Sequence, residues 1–149
     1  MDTIIHISVQ EEDFSLDAEQ ASMREQGIGA IASFVGTVRD VDGRLKSLTL
    51  EHYPEMTEHQ IRLIAHQAAE KWPLGAVRII HRFGRLLPRD NIVLVAASSA
   101  HREAALEAVQ FMMDYLKTQA PFWKAEETED GIRWVNARLK DDDAKQKWQ

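Results

Sequence analysis

Pro121 constrains this chain more than any other single residue. It follows a long amphipathic run, and its ring would clash with the carbonyl four residues back, that of Lys117. The helix is therefore expected to end near Thr118, with Ala120 pushed into an extended conformation. The sequence through the break is Tyr115-Leu-Lys-Thr-Gln-Ala-Pro-Phe-Trp-Lys124, so two ammonium groups, on Lys117 and Lys124, flank it among aromatic side chains. A lysine beside apolar surface loses solvation and can serve as nucleophile, proton donor or clamp for negative charge. The plainer alternative is a pair of solvated lysines with Asp114 or Glu127 as partners at helical spacing.

Composition narrows the chemistry around that break. The chain has 149 residues, 44% hydrophobic and 28% charged, which fits one soluble domain spanning 1–149 with a sizeable core. No basic segment followed by an apolar run opens the sequence, and no apolar stretch approaches the roughly 20 residues that span a bilayer. A cytoplasmic protein without membrane contact is expected. The absence of cysteine removes disulfides, thiolate nucleophiles and sulfur-ligated metals together, so any sulfur chemistry must use sulfur carried by another molecule. The net charge of −6 argues against nucleic acid as the main partner, while leaving room for a local basic pocket.

The order of elements predicts an α+β fold. Residues 3–9 read as a strand, and Ser15 is placed to cap a short helix ending at Gly27. Two β-rich runs, 28–39 and 45–53, are joined through Val41-Asp-Gly-Arg44, which predicts a hairpin. Thr57 with Gln60 suggests a capping box, with Met56 stapled to Ile61, opening a helix whose stripe is Ile61, Ile64, Ala65, Ala68 and Trp72. Trp72-Pro-Leu-Gly75 stops it. Strands are expected at 76–83 and 92–97, a third helix at about 100–118, and a last strand at roughly 132–138. The tail from about 140 to 149 reads as solvated and flexible.

A second candidate site lies at the start of the third helix. Helix N-termini favour anions, yet His101 and Arg102 sit there, so a bound phosphate or carboxylate is one answer and Glu103 or a distant acid the other. On a helical wheel Arg102 falls in line with Leu106, Val109 and Met113, while Glu103, Glu107, Gln110, Asp114 and Thr118 form the polar stripe. Arg102 and Lys117 are separated by roughly 22 Å along such a helix, too far for one small substrate. Either they serve separate sites, or a dimer brings one subunit's helix start to the other's helix end. Arg39 closes a β-run, and Arg133 and Arg138 point to opposite faces of the last strand. The six histidines lack zinc spacing, and neither a phosphate-binding glycine loop nor a Gly-x-Ser-x-Gly elbow is present. No metal or cofactor is expected.

Taken in order, Phe34-Val-Gly-Thr-Val-Arg39, Leu50-Glu-His-Tyr-Pro54 with Met56-Thr57, Trp72-Pro-Leu-Gly75 with His81-Arg82, Ser99-Ala-His-Arg102 and Phe111 to Lys117 with Ala120-Pro-Phe-Trp-Lys124 resemble the molybdopterin synthase catalytic (large) subunit family. The resemblance runs from about residue 28 to 138; the first 27 residues and the tail after Leu139 carry little of it. It implies an α/β hammerhead-like fold with an additional β-rich subdomain. The implied activity is conversion of cyclic pyranopterin monophosphate to molybdopterin by insertion of two dithiolene sulfurs. The implied donor is a small ubiquitin-like subunit whose C-terminal Gly-Gly carries a thiocarboxylate, and the implied assembly is a large-subunit homodimer within a heterotetramer. On the same resemblance Lys117 and Lys124 are the catalytic pair, and Arg39, His101, Arg102 and Arg138 hold the pterin and its phosphate. Two positions depart from the pattern: Ala125 stands where relatives often carry a basic residue, and Thr37 where lysine also occurs.

Rival readings are a non-catalytic dimeric module that binds a phosphorylated metabolite, an enzyme whose desolvated lysine forms a Schiff base, and a family member that has lost its partner. The first accounts for His101 and Arg102 but not for two lysines around Pro121.

Overall fold

A computed structural model describes residues 2–135. Its elements are β1 (Ile4–Gln10), α1 (Leu16–Ser22), β2 (Ala30–Thr37), β3 (Ser47–His52), α2 (Met56–Lys71), β4 (Leu74–Arg82), β5 (Gly84–Leu86), β6 (Asn91–Ser99), α3 (Arg102–Gln119), β7 (Phe122–Thr128) and β8 (Gly131–Val135). They form two four-stranded sheets, ordered β1-β4-β6-β2 and β5-β3-β7-β8. The α+β expectation holds, and the second sheet is the additional β-rich part.

Burial explains the first sheet. The run Ile92-Val-Leu-Val-Ala-Ala97 is apolar at every position because β6 is central and covered on both faces. Val93, Val95 and Ala97 meet the helical layer, where Ile61, Ile64, Ala65 and Ala68 of α2 pack with Ala108, Val109, Met112 and Leu116 of α3. Leu94 and Ala96 point the other way, against Met23, Phe14 and Leu16 beside α1. One period-2 strand thus serves two cores. A third, smaller core of Val38, Leu48, Leu50 and Leu86 supports the second sheet.

Three sequence expectations need correction. The short helix stops at Ser22 rather than Gly27: Ser15 does cap it, accepting from the Ala18 N–H, but Met23 turns inward and is 2% exposed. The Asp-Gly segment makes no hairpin, since β2 pairs with β6 while β3 pairs with β5 and β7. Residues 38–46 instead carry the chain between sheets; the Asp40 carboxylate ties that loop by accepting from the Gly43 and Leu45 N–H groups, and Val38 anchors it in the third core. Val38 also exchanges backbone hydrogen bonds with Asp90 and Arg89. Burial of Val38 and Leu48 outweighs local turn chemistry here.

Thr57 is the third correction. The N-cap of α2 is Glu55, held at φ 67 in a γ-turn closed by the Met56 N–H and the Pro54 carbonyl, and no side chain caps the helix. The Thr57 hydroxyl is used elsewhere. It accepts from the Tyr53 N–H at 3.1 Å and donates to the Pro121 carbonyl at 3.1 Å. Pro121 itself behaves as expected: α3 ends at Gln119 and Ala120 is extended at φ −78, ψ 121. Sequence reading missed β5 and β7, both short or broken by polar residues. The end of the strand predicted at 132–138, including Arg138, and the tail after Leu139 lie outside the described residues.

Thr57 is fully buried, so Thr57→Val keeps its shape while taking the hydroxyl away from the Pro121 carbonyl and the Tyr53 N–H. The expected cost is about 1–3 kcal/mol, read as a lower urea midpoint with an unchanged slope. An unchanged midpoint would show that this hydroxyl does not secure the Pro121 break.

Candidate active site

A cleft of about 1080 Å³ opens where β2 and β6 of the first sheet, the last turns of α3 and the second sheet meet. Helix and strand place a lysine on each wall. Lys117 lies in the last turn of α3, where a cation complements the carbonyl end of the helix, and it is exposed to the cleft. Lys124 lies on β7, opposite Leu50 on one side and Val135 on the other. Phe122 and Lys124, two residues apart, share the face of β7 that lines the cleft, while Trp123 turns to the other face and meets Tyr53 edge-on at 4.6 Å. Arg39, exposed beside the anchored Val38, reaches the same cleft from the 38–46 loop.

The charges of the cleft are unevenly matched. Asp130 and Glu126 already face Arg44 at 3.8 Å and Arg133 at 3.6 Å. Asp40 is taken up by its loop. Arg39 and Lys117 have no acidic partner among the described residues. Asp114, which falls in the polar stripe of the helical wheel, is 6% exposed and accepts from Gln110 at 3.0 Å. Glu127 pairs with Arg85 at 3.6 Å and accepts from the Ser47 hydroxyl. A lysine and an arginine with spare donors lining one cleft make a receptor for an anion.

The structure separates the remaining candidates. His101 is the N-cap residue of α3 but its side chain makes no capping hydrogen bond; it and Arg102 are exposed and stand outside this cleft. The wheel placed Arg102 along an apolar face, yet that face emerges into solvent at this end of the helix, with Leu106 60% exposed. Burial begins at Ala105, Ala108 and Val109. Arg133 lines the cleft, and Arg138 is not among the described residues. Among the described residues no group of three or more His, Asp or Glu is placed to hold a metal ion, and no helix is long and apolar enough to cross a membrane.

His81 has no role that the sequence alone assigns. In the structure it lines the cleft at the end of β4, its ring stacked on Phe122 at 3.7 Å between centroids. Its Nδ1 lies 2.9 Å from the Arg82 carbonyl, which fixes Nδ1 as the donor and Nε2 as a bare acceptor in the neutral ring. Burial lowers its pKa from 6.5 to about 4, against the opposing pull of the Arg82 carbonyl and reinforced by the positive charge of Lys124 and by His52. The only forward signal was chemical: a histidine directly after the apolar pair Ile79-Ile80 near the end of a strand.

The sign of the resulting pH dependence follows. As pH falls from 6.5 towards 4 the unfolded chain takes a proton at His81 that the folded chain refuses, so stability is lost across that window and levels off below it. The full loss is about 3 kcal/mol. Urea unfolding at about pH 7 and about pH 4 should show a steeper loss in the parent than in His81→Phe by roughly that amount. Parallel losses in the two proteins would contradict a neutral His81.

Comparison with known proteins agrees with this geometry. Residues 9–119 match the family model described as MoaE protein. The molybdopterin synthase catalytic subunit of Brucella melitensis is 48% identical over 149 residues, covering 97% of this chain and 91% of that one. The solved MoaE molybdopterin biosynthesis protein of Burkholderia ambifaria is 51% identical, with a TM-score of 0.85 over 97% of this chain and 98% of that one. A Helicobacter pylori structure, described as a complex of subunits 1 and 2 of molybdopterin-converting factor, shares the fold at 23% identity and a TM-score of 0.75, covering 90% of this chain and 91% of that one. A family model matching residues 9–119 and identity near one half over almost the whole chain place it in the MoaE family, that of the molybdopterin synthase catalytic subunits.

Proposed function

We propose that this chain, as a single catalytic domain, converts cyclic pyranopterin monophosphate to molybdopterin. In this reading the two dithiolene sulfurs come from the C-terminal thiocarboxylate of a small ubiquitin-like subunit. The observation that carries it is a cysteine-free cleft in which Arg39, Lys117 and Lys124 converge, in a chain 48% identical to a molybdopterin synthase catalytic subunit along almost its whole length. A thiocarboxylate and a cyclic phosphate are both anions, which suits a cleft with spare cationic donors. The complex described for the Helicobacter pylori protein supports a small-subunit partner. A cytoplasmic setting is part of the same reading.

The lysines act on charge that develops during transfer. Attack of the thiocarboxylate sulfur on a pterin side-chain carbon forms a C–S bond as a C–O bond at that carbon breaks, giving an acyl thioester. Water then adds to the thioester carbonyl, and the acyl–sulfur bond breaks to leave a carboxylate on the donor and a thiolate on the pterin; an ammonium about 3 Å from the carbonyl oxygen stabilises the negative charge that it gains. The second lysine moves protons at the pterin carbons that receive sulfur. Placing one lysine on a helix end and the other on a strand holds both against rigid elements, and such positioning lowers the barrier without further contact. In a reconstituted assay, Lys117→Ala and Lys124→Ala should each reduce dithiolene formation by about a hundredfold or more. Near-parental product from either variant would remove that residue from the chemistry.

His101 and Arg102 complete the site from a second copy of the chain. Their distance along α3 from Lys117 prevents them from serving the same cleft in one subunit, and their exposure leaves them available across a two-fold interface. Arg138 joins the phosphate contacts. Mixing and re-associating Lys117→Ala with Arg102→Ala should recover about a quarter of parental activity, because half the dimers then hold one intact site of two. No recovery would place all of these residues in one subunit's site.

A further inference from the structure

Four aromatic rings cross from the first sheet to the second beneath the cleft. His81, at the end of β4, lies nearly parallel to Phe122 on β7, at 3.7 Å between centroids and 15° between planes. On the second sheet His52, which pairs with Phe122 across the β3–β7 ladder, lies 6.1 Å from it, and His52 meets Phe83 at 4.4 Å. The His81 ring cannot rotate freely, since its Nδ1 is held 2.9 Å from the Arg82 carbonyl. β4 and β7 belong to different sheets and share no ladder, so this stack is a direct side-chain link between the wall that is built on the main core and the strand that carries Lys124.

We propose that His81 is a positioning residue: by stacking on Phe122 it fixes the start of β7 and so sets where Lys124 stands relative to Lys117 across the cleft. This rests on the reading of the cleft as a synthase site. Phe122 and Lys124 project from the same face of β7, and Phe122 follows directly on Pro121, where the chain has just left α3. Two contacts then define that short passage. The Thr57 hydroxyl holds the Pro121 carbonyl, fixing position along the chain, and the His81 ring holds Phe122, fixing its depth beneath the cleft. A flat ring is what the stack requires; the nitrogen at Nδ1 only orients it. The neutral state suits the task, because a protonated ring would set a third cation against the two lysines.

The test uses the full chain with His81→Ala, His81→Phe and, as a core variant remote from the cleft, Ile64→Val. Limiting acetic anhydride with peptide mapping by mass spectrometry reads the surroundings of Lys124 without any need for activity, and Lys71 on α2 is the internal reference. His81→Ala should raise the Lys124 labelling rate by about threefold or more relative to Lys71, and His81→Phe should return it to within about twofold of the parent. In the reconstituted assay kcat should fall by about tenfold or more in His81→Ala with KM within about twofold, recover in His81→Phe and stay parental in Ile64→Val. Should His81→Ala fail to fold, His81→Leu takes its place, filling the volume without a flat face. Unchanged Lys124 labelling in the alanine or leucine variant overturns the proposal, and so does a His81→Phe enzyme as slow as His81→Ala. Labelling that shifts as described in a protein that makes no dithiolene leaves the positioning role standing and overturns the synthase reading alone.

Discussion

The passage from α3 to β7 depends on one hydrogen bond from a fully buried hydroxyl. Proline ends the helix for steric reasons, but it does not say where the chain goes next. The Thr57 hydroxyl supplies that direction by donating to the Pro121 carbonyl while accepting from the Tyr53 N–H. The start of α2, the end of α3 and the start of β7 are therefore tied at a single point. Lys117 lies just before it and Lys124 just after it. Strain at Glu55 is what releases the threonine for this work, since a γ-turn opens α2 without needing a side-chain cap.

What the cleft can do follows from which charges are already satisfied. Its carboxylates are committed to neighbouring arginines or to backbone N–H groups, and Arg39 and Lys117 have no acidic partner among the described residues. His81 contributes a ring without charge. A chain with net charge −6 thereby presents a cleft with cationic donors to spare, which favours anionic ligands. The lack of cysteine fits the proposed reaction: if sulfur arrives on a partner, the cleft needs donors and a proton route rather than a thiolate.

Local periodicity made the helices and the central strand legible in sequence. The stripe Ile61, Ile64, Ala65 and Ala68 is buried as read, and Ile92 to Ala97 is a strand. Pro121 placed the end of α3 within a residue. What failed was whatever depended on partners far along the chain. Asp42-Gly43 has hairpin chemistry, but β2 and β3 find better partners in different sheets. Thr57 carries the spacing of a cap, but a carbonyl 64 residues away claims its hydroxyl. Asp114 sits on the polar side of a wheel that knows nothing of the strands packed around it, and it is buried. Within the candidate site, Arg39, Lys117 and Lys124 come together as the resemblance implied, whereas the separation of Arg102 from Lys117 followed from helical rise alone. His81 was invisible because its significance is a stack on Phe122, which no spacing encodes.

The most direct measurement is the fate of the thiocarboxylate. The protein would be mixed with thiocarboxylated small subunit and cyclic pyranopterin monophosphate, the donor's C-terminus followed by intact mass, and the dithiolene product quantified in the same samples. The account predicts that two thiocarboxylates become carboxylates for each dithiolene formed, with the wild-type cleft required for both changes. Bound pterin phosphate with no donor consumed and no dithiolene would contradict it and leave a binding module in its place.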